Sequence, residues 1–262
     1  MESLAVILGS AFGDEIPNSL DMQPINIDTQ WGTQKIYGTT NKEGRKIYTI
    51  LRHQHPHRLL PNQINYRAQA AALQSVNCGA LLINSSVGVL TPDLPLYKPL
   101  ILTDQLMPEN RLPDGSTCTM FTEPSDSQGH LVLNDGLFSR ALSQQIAGKH
   151  SGRIHNPDVD IVFVYAGGPR SKTAAENQMW AQLGGDVNSM TVAPEVVLAN
   201  ELEIPTAGLV VGHKYSVPEI DNPEEADIAD TLNEAKSATK DIIIDFLQHG
   251  SPVEFQNHIY RF

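Results

Sequence analysis

Apolar residues recur along the chain in two rhythms. Short apolar-rich runs lie at residues 4–8, 46–51, 80–84, 99–103, 159–166 and 205–211, several of them apolar on both faces. Such runs predict strands buried on both faces, as in a parallel sheet. Between them the spacing stretches to three and four: Ile64, Ala68, Ala71 and Ala72 predict a helix over 63–75, and a shorter one follows at 194–202. The most sharply delimited helix is predicted near the end. Asn222 can cap it, Pro223 suits its first position, and Glu224 and Glu225 sit at the positive end of its dipole, while Ile228, Leu232, Ala235, Ile242 and Phe246 form its apolar stripe. Strands alternating with helices from end to end predict an α/β fold: a single domain over residues 1–262 with a central mixed, mainly parallel β-sheet flanked by helices. The stretch 108–135, rich in Pro, Asp, Ser, Thr and Gly, reads as an irregular excursion from that domain.

Composition narrows the function classes. Of 262 residues 40% are hydrophobic, enough for a sizeable core, and 18 Lys plus Arg stand against 30 Asp plus Glu, a formal charge of −12. That balance argues against a phosphate-neutralising surface, so nucleic acid is not expected as a partner. No run approaches the ~20 apolar residues of a bilayer span, and the start MESLAVILGSAFGDE lacks the features of a secretory leader. The expectation is a soluble, cytoplasmic protein without membrane contact. Cys78 and Cys118 have no CxxC or CxxH spacing, so structural thiols are expected.

Candidate chemistry gathers at the ends of the predicted strands. Arg52, His53, His55 and His57 stand in RHQHPHRLLP directly after one of them. On a continuing strand the three alternate histidines would face one way, which fits a zinc site, a solvated strand end or, with the guanidinium fork, a phosphate site; no metal is expected. GSAFGD (9–14) places small residues and Ser10 after the first strand, NSSVGVL (84–90) places Ser85 and Ser86 after another, and NSMTVAPEVVLA (188–199) places Thr191 before a helix. Neither glycine-rich nucleotide fingerprint is present. Four such turns at four strand ends can converge on one oxyanion.

The blocks ILGSAFGD, LRHQHPHRLLPNQINYRAQAAAL, NSSVGVL, ILTDQ, GGPRSKTAAE and MTVAPEVVLANELEIP occur in this order over nearly the whole chain. In these blocks the sequence resembles the trimeric purine nucleoside phosphorylases and methylthioadenosine phosphorylases, closest in motif to the S-methyl-5'-thioinosine phosphorylase type. The resemblance implies the nucleoside phosphorylase fold and phosphorolysis of a purine nucleoside to free base and a ribose 1-phosphate, with inorganic phosphate as co-substrate and no other cofactor. It assigns Ser10, Arg52, His53, Ser85, Ser86 and Thr191 to the phosphate, with Arg52 as its permanent charge. His57 and Met190 fall to the sugar, although Met190 also fits simple core packing. Residues 227–232 offer Ile228, Ala229 and Leu232 and no histidine, which favours a 5'-methylthio over a 5'-hydroxyl sugar. A homotrimer is implied as well.

The base end departs from that pattern. Ser171 and Lys172 stand where 6-oxopurine enzymes of the family carry an aromatic residue and glutamate, and an ungapped match puts Lys214 and Ser216 where others carry asparagine or aspartates. A protonated lysine has three donors and no acceptor, so the usual recognition cannot be transferred intact. Three readings stay open. Lys214 donates to the purine and steadies the departing base; or the match slips by one, so that His213 faces the base and Lys214 the surface; or the chain serves another nucleoside or only binds a ligand. Lys172 also fits a solvated position at a loop mouth.

Overall fold

All six residues of Ser3–Leu8 are buried, and this strand, β1, runs parallel between two others. Leu4 to Leu8 register with Ile47 to Leu51 of β4 (Lys46–Leu51), and Leu4 to Ile7 register with Ala80 to Ile83 of β5 (Cys78–Val89). Alternation sends side chains to opposite faces. Ala5 and Ile7 join a core closed by Ala72 and Leu73 of α2 (Tyr66–Ser75) and Ala193, Val196 and Ala199 of α5 (Ala193–Glu201). Leu4, Val6 and Leu8 join a second core with Leu142 and Ile146 of α3 (Arg140–Lys149) and Ile242, Ile243, Phe246 and Leu247 of a helix over 239–249. The result is a three-layer α/β/α arrangement in which each fully buried aliphatic side chain contributes about 1.5–3 kcal/mol of apolar burial. The computed structural model describes residues 1–218, 220–222, 237 and 239–261.

Ten strands form the sheet, in the order β2-β3-β4-β1-β5-β10-β9-β7, with β11 (Thr206–Tyr215) paired to β5 and to β6 (Pro99–Ile101). Here β2 is Gln23–Thr29, β3 Gly32–Thr40, β7 Asp104–Leu106, β9 Val162–Tyr165 and β10 Val187–Ser189. The expected strands are present with shifted ends. The run at 80–84 opens a strand that continues to Val89, the run at 205–211 continues to Tyr215, and the run at 159–166 shortens to four residues. The hairpin of β2 and β3, α3, α4 (Ala174–Gln182) and β10 are additional to the expected elements; α4 has almost no apolar stripe, whereas α3 buries Leu142, Ile146 and Ala147 on one face.

Helix α2 starts at Tyr66 rather than 63, because Pro61–Gln63 form a 3₁₀ turn and the Asn65 side chain accepts the Ala68 N–H at 3.0 Å. In the predicted final helix, Ile242 and Phe246 are buried as its stripe requires, while Pro223, Glu224, Glu225, Ile228, Leu232 and Ala235 lie outside the described residues. Asn222 holds the end of β11, its Oδ1 accepting the Tyr215 N–H at 2.6 Å and its Nδ2 donating to the Tyr215 carbonyl at 3.1 Å, while the helix start it was expected to cap lies outside the described residues. The excursion at 108–135 is irregular except for β8 (His130–Val132), which pairs with β12 (His258–Tyr260). Cys78 and Cys118 are buried, and desolvation pushes both thiols up to about 12, so neither is a nucleophile at neutral pH. Among the described residues no helix is long and apolar enough to cross a membrane.

Candidate active site

A gap in the sheet organises the site. Along one edge β5 pairs with β11 from Leu81 to Val89. Along the other it pairs with β1 only as far as Ile83 and with β10 only from Gly88, so residues 84–87 have no strand partner on that side. The carboxyl ends of β1, β4 and β10 deliver Gly9 and Ser10, Arg52 and His53, and Met190 and Thr191 toward this opening. Ligands in open α/β sheets bind where neighbouring strands part in this way.

Arg52 enters the gap almost wholly buried, 1% exposed. Its Nε and Nη2 donate to the two carboxylate oxygens of Glu195 at 2.5 and 2.9 Å, and its Nη1 donates to the Asn84 carbonyl at 3.0 Å. Three of its five N–H groups are thus occupied and two remain. The expected permanent charge is therefore balanced by Glu195, and what Arg52 presents is a rigid fork of donors. Glu195 also accepts the Val192 N–H at 2.9 Å, holding a β-branched residue at φ +75° and ψ −63° between Thr191 and α5. A Val at positive φ is strained, and strain of this kind is found where a site imposes it.

The histidines do not line up as a strand would place them, because β4 ends at Leu51 and residues 52–57 form turns. The expectation that His53, His55 and His57 face one way is corrected accordingly. The rings of His53 and His57 lie 4.6 Å apart, whereas His55 points elsewhere, its Nε2 3.5 Å from Asp14 Oδ2. His53 Nδ1 donates to the Leu59 carbonyl at 2.8 Å, which leaves Nε2 as an acceptor in the neutral ring. Burial lowers the His53 pKa against the opposing effect of that hydrogen bond. Among the described residues no three His, Cys, Asp or Glu side chains come together as a metal site would need. Ser10, Arg52, His53, His55 and His57 all line one cavity of about 40 Å³. Thr191 is buried nearby in sequence to Met190, and the buried Ser85 donates its hydroxyl to the Ser86 carbonyl at 3.1 Å.

Ser86, next to the buried Ser85, lines a cavity of about 570 Å³ whose walls include Ser171, Lys172, Met190, His213 and Lys214. That volume lies within the range of small-molecule sites. Met190 is half-buried and packs against Gly168, where a Cβ would stand 2.4 Å from its sulfur. The register of β11 sets how the base-end residues are presented. Gly212 pairs with Val87 and Lys214 with Gly88, so His213 is the extra residue of a β-bulge. Strict alternation would send His213 and Lys214 to opposite faces; the bulge lets both line one cavity. His213 is half-buried, its pKa lowered by burial and by Lys214 beside it while the facing Val87 carbonyl opposes the shift, and its Nδ1 has no partner in hydrogen-bonding geometry. Lys214 is exposed. Lys172 is not the solvated side chain of a loop mouth: it is half-buried, and desolvation with the nearby Arg170 charge pushes it down to about 8.

Four participants escaped sequence reasoning. Asn188 Nδ2 donates to Asn177 Oδ1 at 2.9 Å and Asn177 Nδ2 to the Ser216 carbonyl at 2.7 Å, a buried chain that fixes the cavity wall. Gly88 leaves that wall its space, since a Cβ there would stand 2.2 Å from Ser216 Oγ. The fourth is Glu195. Its position in the first turn of a predicted helix was a visible signal, although its partner lies 143 residues away.

Burial also sets the acid behaviour. His53, His155 and His213 all have lowered pKa values with desolvation as the leading cause. A histidine less easily protonated when folded stabilises the fold fully above its unfolded pKa of about 6.5 and loses that contribution as pH falls through the folded value. Urea unfolding from pH 7.5 to 5 is expected to show stability declining below about pH 6.5, with a shallower decline in His53→Asn. Stability that is flat or rises over this interval counts against the assignment.

Comparison with known proteins places these features in context. The sequence profile described as "Phosphorylase superfamily" matches residues 3–248. The "S-methyl-5'-thioadenosine phosphorylase 2" of Puccinia graminis f. sp. tritici is 28% identical over 185 residues, 70% of this chain and 60% of that protein, so the chain spans about three fifths of that relative. A Methanopyrus kandleri protein named "Probable S-methyl-5'-thioinosine phosphorylase" is 30% identical over 82% of this chain and 80% of its own length. Among solved structures, a variant adenosine/methylthioadenosine phosphorylase of Schistosoma mansoni in complex with methylthioadenosine superposes with a TM-score of 0.80, covering 94% of this chain and 91% of that one at 18% identity, a likeness of fold.

Proposed function

The chain belongs to the phosphorylase superfamily, and on that premise we propose that it is a pentosyltransferase that cleaves a purine nucleoside, in particular a 5'-methylthio one, with inorganic phosphate. One observation carries the reading: the gap at residues 84–87 brings the donors of Arg52 and the strand-end hydroxyls beside a cavity large enough for a nucleoside. A phosphate oxygen forms a bond to C1' of the sugar as the bond from C1' to the base nitrogen breaks. The bonding pair leaves with the base, which then takes a proton. Products are the free base and (methylthio)ribose 1-phosphate.

In this reading Ser10, Arg52, His53, Ser85, Ser86 and Thr191 surround the phosphate. The Arg52 fork and the hydroxyls hold its unprotonated oxygens, and His53 Nε2 accepts from its protonated one. An anion fixed beside a sugar carbon that gains positive charge stabilises the transition state, and the fixed geometry supplies much of the remaining acceleration. His57 and Met190 line the sugar, while Ser171, Lys172, His213 and Lys214 face the base. The relatives' names support the methylthio substituent. The residues on which the sequence argument for it rests, 227–232, lie outside the described part of the structure. Phosphate is the co-substrate and no further cofactor is required. The same reading takes the protein as a cytoplasmic homotrimer in purine salvage, which sedimentation at three times the 28.7 kDa chain mass checks for the assembly.

The deciding experiment incubates purified protein with inosine, guanosine, adenosine, methylthioinosine and methylthioadenosine, with and without phosphate. Base release that requires phosphate and is fastest with a methylthio nucleoside is expected. Absence of phosphate-dependent release from every member of the panel overturns the proposal.

A further inference from the structure

The base end of the larger cavity carries an unusual charge pattern. Two ammonium groups, Lys172 and Lys214, line it together with His213, and among the described lining residues the one carboxylate is the exposed Asp221. No carboxylate among the described residues forms an ion pair with either lysine. Arg170, next to Lys172, is already engaged by a two-point fork to Glu176 at 2.6 and 2.9 Å. Lys172 Nζ donates to the Arg170 carbonyl at 3.3 Å, and two of its three hydrogens remain. A half-buried ammonium with no carboxylate bonded to it among the described residues is held at a desolvation cost, and desolvation with the Arg170 charge depresses this lysine to about 8, only partly opposed by Glu176. Such a group favours a ligand that returns acceptors or negative charge.

The bulge strengthens the case. By inserting His213, it turns Lys214 and His213 toward the cavity together, so cationic and donor groups enter it from two separate elements: β11 and the loop before α4. Resting on the phosphorolysis reading, we infer that this end of the cavity selects a base presenting acceptors and leaving as an anion, that is, a nucleoside of an oxopurine over one of an aminopurine. Lys172 and Lys214 are the residues that determine the choice. As the glycosidic bond breaks, its electron pair moves onto the purine and spreads to the carbonyl oxygen, where an ammonium donor stabilises it more in the transition state than in the bound substrate. An exocyclic amine at the same place sets donor against donor, and sites built on such hydrogen bonds reject the mismatched analogue strongly.

The test measures kcat/KM for methylthioinosine and methylthioadenosine, a pair with one sugar and two bases, in the wild type, Lys172→Gln, Lys214→Gln and the double variant. The wild type is expected to favour the oxopurine by about 100-fold or more, and the double variant to lose most of that preference through a fall in kcat on the oxopurine. Calorimetric binding of free hypoxanthine, xanthine and adenine provides a readout independent of turnover, with the oxopurines bound more tightly and the difference reduced in the variants. Preference for the aminopurine, or a preference unchanged by both substitutions, overturns the inference while leaving phosphorolysis standing. If no nucleoside is cleaved, the proposed function fails, and the base-binding series still decides the inference.

Discussion

Arg52→Ala is expected to lower kcat/KM for phosphorolysis by about 10²–10³-fold, the loss typical of removing an oriented donor from a developing charge. The same substitution is expected to destabilise the fold by about 3–5 kcal/mol, because it leaves the Glu195 carboxylate buried without its partner. The two effects have separate origins and separate remedies. In Arg52→Met combined with Glu195→Gln, no buried charge is left over, so the thermal midpoint should recover toward the wild type while turnover does not. His55→Ala is the comparison: its ring lines the same small cavity but is exposed and turned to Asp14, with no hydrogen bond to Arg52 or Glu195, so a kinetic loss well below that of Arg52→Ala is expected. Steady-state kinetics with denaturant unfolding on the same preparations checks each part. Equal kinetic losses at positions 52 and 55 would remove Arg52 from the phosphate site.

The second large effect is expected at a residue that need not touch substrate. Glu195→Ala removes both oxygens that hold Arg52 and the acceptor of the Val192 N–H, so a buried guanidinium loses its counter-ion and the strained turn before α5 loses its tie. A stability loss of about 3–5 kcal/mol is expected from the orphaned charge alone. Kinetically, Glu195 is a positioning residue. Its loss should raise the KM for phosphate much more than the KM for the nucleoside, since Thr191 and Arg52 both shift while the wall of the larger cavity does not. Glu195→Gln retains an oxygen for one of these donors and should rescue part of the phosphate affinity. Parallel rises in both KM values, with no rescue by glutamine, would reduce Glu195 to a structural role.

Legibility in the sequence followed burial. The run at 4–8 is readable because its strand is covered on both faces, which forces nearly every position to be apolar; Lys46–Leu51 keeps an exposed Lys46 and a buried Thr49 and is legible through Ile47, Ile50 and Leu51. The hairpin of Gln23–Thr29 and Gly32–Thr40 is mostly exposed, so nothing in its composition separates it from a loop. Helix α4 shows the opposite case. Thr173 and Glu176 form a capping box that the sequence displays, yet the helix behind it buries only Asn177 and offers no stripe to read. At the site, Ser10, Arg52, His53 and Thr191 stood out as candidates because strand ends are where open α/β sheets place chemistry, whereas Met190 was named only through the family resemblance. Glu195 was not, because an ion pair between residues 143 apart leaves no local periodicity.

The amino-acid sequence by itself determined the class of fold, the strand ends that carry donors and the unusual lysines, since apolar periodicity and residue chemistry are local properties. Three matters were decided only in the tertiary structure. They are the gap between β1 and β10 along β5, the neutralisation of Arg52 by Glu195, and the bulge that brings His213 and Lys214 to one cavity. Each depends on register or contact between segments far apart in the chain. A one-residue change in strand register reverses which face a side chain occupies, and no pattern within a single segment records it.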